Sequence, residues 1–302
     1  MEPQPLTFKE IQCKTALVKC NIPGIDYVIN PYMGCRFGCA YCYASFMGRF
    51  IEGVTVKDWG NYVYAKTNIA DVLEKELPKK LKNKGAGKEV FLSSVTDPYQ
   101  GMEVKYKLTR QCLVKLADYG FEGTLSILTK SKLVTRDIDV LKRFKHPSVG
   151  LTVTSTDDKI SRYFEKYAPN VNERFEALRE LNSHGIKTYA FVGPLLPHFV
   201  ANANELEKIF IKLKEIGTRD IFVEHLNLSR YIKERLFEEI DLDQKELTKK
   251  FYDSQSKEYR TELDKIVKAL VKKYDMRLLL DIVIFHKEFG DAQIKTSIPK
   301  PA

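Results

Sequence analysis

The sequence predicts an α/β fold built on a parallel sheet, and two observations carry that expectation. Short apolar, β-rich runs alternate with amphipathic helical patterns along most of the 302 residues, and strands alternating with helices of this length form βα units. Glycine stands just past the last periodic residue of three of the helices, where its tolerance of left-handed backbone makes it a stop signal. Six or so such units would close a barrel in part, with the loops after the strands as its working face.

In chain order, residues 1 to about 19 read as an irregular leader, and the first 25 are set apart from the domain that follows. Strand-like runs fall at residues 26–30, 89–93, 124–129, 149–154, 187–192, 220–224 and 278–285, each short and rich in apolar or β-branched residues. Helical patterns lie between them. Residues 109–119 carry Cys112, Leu113, Leu116 and Ala117 on one stripe and end at Gly120. Residues 172–184 carry Phe175, Leu178 and Leu181 and end at Gly185; residues 205–216 carry Leu206, Ile209, Phe210 and Leu213 and end at Gly217. The segment 229–257 is highly charged and helix-prone, and helical periodicity resumes at Leu263, Ile266, Val267 and Leu270. Without an internal repeat or low-complexity tract, residues 26–296 read as one domain and 297–302 as a loose tail.

Hydrophobic content of 44% and charged content of 29% are those of a globular protein with a sizeable core. No apolar run approaches the roughly 20 residues of a membrane span, and no signal segment is evident, so the expected compartment is the cytoplasm, without membrane attachment. A net charge of +9 permits a polyanionic partner without demanding one. No block of like charges forms a nucleic-acid arm.

Against this background one motif stands out: Gly34-Cys35-Arg36-Phe37-Gly38-Cys39-Ala40-Tyr41-Cys42. Three thiolates on one short loop can reach three corners of a [4Fe-4S] cube and leave the fourth iron open to another ligand. A zinc site would add a second cysteine knuckle or nearby histidines, and His146, His184, His198, His225 and His286 all lie far away in sequence. A disulfide does not suit a reducing compartment. Cys13 and Cys20 lack the two further thiolates of a second cluster and read as ordinary buried cysteines; Cys112, on an apolar helix stripe, reads as structural.

The CxxxCxxC spacing with an aromatic residue, Tyr41, before the last cysteine resembles the signature of the radical S-adenosylmethionine (SAM) enzymes. Asn30-Pro31-Tyr32 leading into the loop and Tyr41-Cys42-Tyr43-Ala44 leaving it are similar to the spore photoproduct lyase-like, DNA repair photolyase-related branch. So are Ser94-Val95-Thr96-Asp97-Pro98-Tyr99-Gln100, Glu103, Leu108-Thr109-Arg110, and the later run Glu173-Arg174-Phe175-Glu176-Ala177-Leu178 with Gly185-Ile186 and Gly193-Pro194. The resemblance implies a partial (β/α)6 TIM-type barrel, a [4Fe-4S] cluster on Cys35, Cys39 and Cys42, and SAM chelating the open iron. It also implies an external one-electron donor of flavodoxin or ferredoxin type. Reduction of SAM would release a 5′-deoxyadenosyl radical that takes a hydrogen atom from a substrate.

Carried over residue by residue, the resemblance assigns further roles. Tyr41 would pack against the adenine, and Thr96 would offer a hydroxyl to the methionine end, with Asp97 steadying that loop. Lys130 would pair with the methionine carboxylate, or is a solvated lysine. Thr152 and Thr154 would meet methionine or ribose, although strand threonines are common for packing alone. Gly193 would let the backbone approach the adenine, or marks a turn. Glu224 and His225, ending the sixth strand, would face cofactor or substrate, or form a buried hydrogen-bonded pair.

Two residues bear on the reaction itself. Ser94 takes the place of the cysteine that in spore photoproduct lyases returns a hydrogen atom to the product radical, and a serine O–H is too strong a bond to serve. The resemblance therefore implies related radical chemistry rather than lyase activity. Tyr43 keeps an aromatic beside Cys42 that would relay or quench a radical, or simply wall the site. Family analogy and the +9 charge lean toward a nucleic acid or nucleobase as substrate. Modification of a peptide or small metabolite is the rival within the same chemistry, and a non-catalytic iron–sulfur module the rival outside it.

Overall fold

The computed structural model describes residues 5–197, 201–240 and 245–286. The chain opens with β1 (Thr7–Ile11), β2 (Leu17–Lys19), β3 (Tyr27–Ile29), β4 (Tyr32–Met33) and β5 (Tyr62–Lys66), then α1 (Ile69–Lys80). The βα units continue through β6 (Glu89–Leu92), α2 (Met102–Tyr106), α3 (Leu108–Tyr119), β7 (Thr124–Thr129) and α4 (Ile138–Leu141). They run on through β8 (His146–Val153), α5 (Asp158–Phe164), α6 (Val171–Ser183), β9 (Lys187–Leu195), α7 (Ala203–Glu215) and β10 (Asp220–His225). Three further helices, α8 (Arg230–Glu239), α9 (Lys245–Asp253) and α10 (Lys257–Tyr274), precede β11 (Arg277–Leu278).

Strands β3, β6, β7, β8, β9 and β10 pair in sequence order and all run parallel, which is the expected partial barrel. β11 extends it in parallel beyond β10, and β2 caps the opposite edge in antiparallel register against β3. Alternation sorts the side chains of each strand. Val149, Leu151 and Val153 of β8 are fully buried in the aliphatic layer beneath the helices, so Gly150, Thr152 and Thr154 face the barrel interior. The same alternation turns Phe191 and Gly193 of β9 and Phe222 and Glu224 of β10 inward, where the Phe191 and Phe222 rings lie 6.1 Å apart. Gly120, Gly185 and Gly217 take the left-handed conformation expected of helix stops.

The leader is not irregular. β1 pairs in parallel with β5, which also pairs with β4, making a separate three-stranded sheet. β1 is largely exposed, so it carries no burial pattern to read, and its partner lies some fifty residues downstream. α1 is a further element beyond the expected ones: Ile69, Leu73 and Leu77 form its buried stripe, and Pro78 inside its last turn disguises the pattern. The run 278–285 is not one strand. β11 stops at Leu278, Asp281 turns the chain at a positive φ of 55°, and Ile284 then bridges Glu224. The expected tail, residues 297–302, lies outside the described residues.

Candidate active site at the carboxyl ends of the strands

The cysteine loop runs from β4 into a 3-10 helix, Tyr43–Phe50, so it leaves the small sheet rather than the first barrel strand directly. Gly34 begins it at φ 78°, and a Cβ there would lie 2.3 Å from the Tyr62 carbonyl oxygen, so no other residue fits. Cys35 and Cys39 are buried and Cys42 half-buried. Within the loop, Gly38 N–H donates to the Cys35 carbonyl (3.3 Å) and Cys42 N–H to that of Cys39 (3.1 Å).

The loop is gripped from four directions. Gln100, fully buried, accepts from Arg36 N–H (2.9 Å) and donates to the Gly34 carbonyl (3.1 Å) and to Thr96 Oγ1 (2.9 Å). Thr96 Oγ1 itself donates to the Gly34 carbonyl (2.6 Å). From α8, the buried Arg235 guanidinium donates to the carbonyls of Gly38 and Cys39 (both 3.4 Å), Val56 (2.9 Å) and Trp59 (3.2 Å). At the end of α5, the Phe164 carbonyl accepts from Ala40 N–H (2.8 Å). The fourth grip is a buried ion pair: Tyr41 donates its hydroxyl to Glu165, which pairs with Arg174. Arg174 also donates to the Thr152 carbonyl (3.2 Å) and the Pro169 carbonyl (2.9 Å). Burial alone would favour the neutral acid, but Arg174 and Lys130 outweigh it and hold the Glu165 carboxyl below its usual range.

Burial pushes the Cys39 thiol up to about 12 and raises those of Cys35 and Cys42 as well. Lys130 and Arg174 pull the other way at Cys39, and Lys130 and Arg235 at Cys42. The donor set is therefore soft sulfur beside fixed cations, which suits iron held by thiolates, and loading it must release protons. The three thiols lie within electrostatic reach of one another. Among the described residues no three His, Cys, Asp or Glu side chains converge closely enough to hold a single ion.

Lys130 follows β7 with its ammonium 5.7 Å from the centre of the Tyr41 ring and makes no ion pair among the described residues. Burial opposes its charge, but Cys39 and Glu165 outweigh that and raise its pKa. Asp97 accepts from Thr129 Oγ1 (2.6 Å) and from the backbone N–H groups of Lys130 and Tyr99 (both 2.9 Å), so it holds the two strand-end loops together. Tyr43 and Ser94 meet: the Tyr43 hydroxyl donates to the Ser94 carbonyl. Asn30 Oδ1 accepts from Ser94 N–H (3.0 Å) and Val95 N–H (3.3 Å), fixing that loop against β3.

The other expected residues lie around these. Thr152 is buried beside the ion pair through its carbonyl, and the Thr154 hydroxyl is engaged with Ser161 Oγ (3.1 Å). Gly193 is not a turn: it lies within β9, and a Cβ there would stand 2.9 Å from the Glu224 carbonyl oxygen of β10. Strand spacing explains that glycine. Glu224 and His225 do not pair, because adjacent strand residues point to opposite faces. Glu224 binds His286 (2.8 Å), whereas His225 is buried with its ring 5.7 Å from that of Tyr259 and 5.6 Å from that of Phe285. Cys112 is fully buried in the core; Cys13 and Cys20 are half-buried.

The sequence profile of the Radical SAM superfamily matches residues 29–223. The chain belongs to the radical SAM superfamily. It is 36% identical to an uncharacterised protein of Methanocaldococcus jannaschii over 72% of this chain and 77% of that one. It is 24% identical to the radical SAM Nalpha-GlyT isomerase of Pseudomonas phage M6, but over 64% of this chain and only 38% of that enzyme. Among solved structures, spore photoproduct lyase complexed with a dinucleoside spore photoproduct superimposes with a TM-score of 0.66 at 15% identity, covering 89% of this chain and 79% of that one. At that identity the likeness is one of fold.

A radical SAM enzyme uses SAM and an iron–sulfur cluster, and the superfamily match spans both the cysteine loop and the strand-end loops around it. The radical SAM motif exposed the cysteines but not Glu165 or Arg235, which no local pattern marks. Arg174 stood inside a quoted run without a role; its only signal is a charge at the otherwise apolar inner edge of α6, beside buried Val171, Phe175 and Leu178. Among the described residues no helix is long and apolar enough to cross a membrane.

Proposed function

We propose that this radical SAM enzyme binds one [4Fe-4S] cluster through Cys35, Cys39 and Cys42 and one SAM, and that its substrate is a nucleobase within a nucleic acid. The observation that carries the first part is the cysteine loop itself, gripped at the carboxyl ends of the strands with the Lys130 ammonium, in no ion pair among the described residues, 5.7 Å from the centre of the Tyr41 ring. When bound, the cluster supplies the electron that cleaves SAM to a 5′-deoxyadenosyl radical able to take a hydrogen atom from the substrate. Every other task falls to the chain. Lys130 is available to the methionine carboxylate. Tyr41, tied to Glu165 through its hydroxyl, offers its ring and backbone rather than its O–H. Thr96 has its proton committed to Gly34, so toward the methionine end it acts as an acceptor. The strand-end loops, cross-linked by Asp97, keep these groups in place before any ligand arrives.

For the substrate, support comes from the +9 charge, from the fold shared with a lyase whose bound ligand is a dinucleoside, and from a phage relative named as a GlyT isomerase. Ser94 stands where a hydrogen-returning cysteine would be needed, so isomerisation or modification fits better than lyase repair. Electrons would come from a flavodoxin- or ferredoxin-type donor.

The deciding experiment measures 5′-deoxyadenosine released from SAM by the anaerobically reconstituted, chemically reduced protein, beside a Cys39→Ala control. Release that depends on Cys39 and rises with DNA or RNA supports the proposal. Stimulation by a peptide or small metabolite instead would overturn the substrate assignment. A full cluster that neither binds nor cleaves SAM would overturn the enzyme reading.

A further inference from the structure

The 3-10 helix that leaves the cysteine loop is built the wrong way round for a core element. Its small residues, Ala44, Ser45 and Gly48, are the buried ones, whereas Tyr43 is 51% exposed and Phe50 62% exposed. A 3-10 helix has three residues per turn, so Tyr43, Phe46 and Arg49 stand in one row along its outer face. The rings form a continuous strip: Tyr43 to Phe46 at 6.4 Å and nearly parallel, Phe46 to Phe50 at 6.4 Å and edge-on. Arg49 lies across it, its guanidinium 5.1 Å from the centre of the Phe46 ring and 4.9 Å from that of Phe50. Arg49 makes no ion pair among the described residues, unlike Arg110, Arg136, Arg143 and Arg277, each of which meets a carboxylate.

An exposed run of aromatic rings keeps apolar surface in water and marks an interaction site when it is contiguous. Aromatic rings beside a guanidinium that meets no carboxylate among the described residues match one chemistry well: bases that stack on the rings and a phosphate that meets the cation. The strip also ends at the site, because Tyr43 is bonded to the Ser94 carbonyl.

We propose that the face formed by Tyr43, Phe46, Arg49 and Phe50 is the docking strip for a single-stranded segment of nucleic acid, leading the target nucleotide to the cysteine loop. The proposal rests on the nucleic-acid reading above and adds to it the surface that does the binding. It predicts strand binding that is sequence-tolerant, since every base has a face to stack, and weakened by salt, since phosphates release counterions.

The test is fluorescence anisotropy of a labelled single-stranded DNA 12-mer titrated with the full-length reconstituted protein at low and moderate salt. Phe50→Ala and Arg49→Gln should each weaken binding about tenfold, while Phe50→Trp stays within about twofold of the parent. Circular dichroism and iron content, unchanged in all three variants, would show that the fold and the cluster are intact. Binding by the parent protein that neither Phe50→Ala nor Arg49→Gln weakens would overturn the docking strip, assign this face to another partner and leave the nucleic-acid reading standing. A parent protein that binds neither the DNA 12-mer nor its RNA counterpart at low salt would overturn both.

Discussion

In the wall of the barrel, Leu125, Ile127, Val149, Leu151, Ala190, Val192, Ile221 and Val223 fill the space beneath the helices with aliphatic side chains. Around the cysteine loop the filling is aromatic, with Tyr41, Trp59, Tyr62, Tyr64 and Phe164, and it encloses the charges of Glu165, Arg174 and Arg235. The wall coheres through burial, which is non-directional and tolerates exchange of one apolar shape for another. The cradle coheres through hydrogen bonds and ion pairs with fixed geometry, each costly to leave unmade. A scaffold needs only to be filled. The role proposed for the cysteine loop, presenting three thiolates to a cluster, calls for one conformation held in advance.

The largest effect should come from breaking the cradle's ion pair. Arg174→Met leaves Glu165 buried without its partner and should cost about 3–5 kcal/mol, whereas the double replacement Arg174→Met with Glu165→Gln should cost less than the single one. Urea denaturation of both variants measures this; a double variant less stable than the single would show that the pair is not the unit. Next comes the wall. Leu213→Ala on α7, fully buried, should cost about 2–5 kcal/mol yet leave iron per folded chain unchanged, because it touches no grip on the loop.

A third effect tests the buried imidazole of His225 at the end of β10. Burial lowers the His225 pKa from 6.5 to about 3, so the native state keeps the ring neutral while the unfolded chain takes up a proton below 6.5. The unfolded state then binds more protons, and stability falls as pH drops through that window, by about 2–3 kcal/mol between pH 7.5 and 4.5. Urea midpoints at the two pH values should differ less in His225→Phe; an equal difference would assign the acid sensitivity to other groups. The smallest expected effect is at Gln100. Gln100→Leu leaves Arg36 N–H without its acceptor and the Gly34 carbonyl with Thr96 Oγ1 alone, costing about 1–3 kcal/mol, and should lower iron incorporation more than Leu213→Ala does. Iron and sulfide analysis beside the denaturation midpoint separates the two.

What could be read from the chain follows the same division. The strands β7 and β9 and the helices α3, α6 and α7 announce themselves because each carries its own apolar period and its own stop. The cysteines announce themselves because three thiols at that spacing serve few other purposes, whereas Asp97 and Lys130 come into view only through the family resemblance. β1 was illegible because its hydrogen-bond partner β5 is remote and neither face is well buried. Glu224 and His225 looked like a pair because they are neighbours in sequence, although strand alternation separates them.

The sequence by itself determined the parallel α/β architecture and singled out the cysteine loop that the proposal makes the cluster site, since local periodicity and local spacing encode both. Only the tertiary structure decided that Arg174 reaches Glu165 and thereby Tyr41, that Arg235 closes over the Gly38 and Cys39 carbonyls, and that Gly193 answers to the neighbouring strand. Apart from Arg174 and Glu165, which are 9 residues apart, those contacts join positions remote along the chain, up to 197 residues in the case of Arg235. A contact of that kind leaves no pattern in either partner's neighbourhood, because the energy it supplies depends on where the fold brings the two groups together.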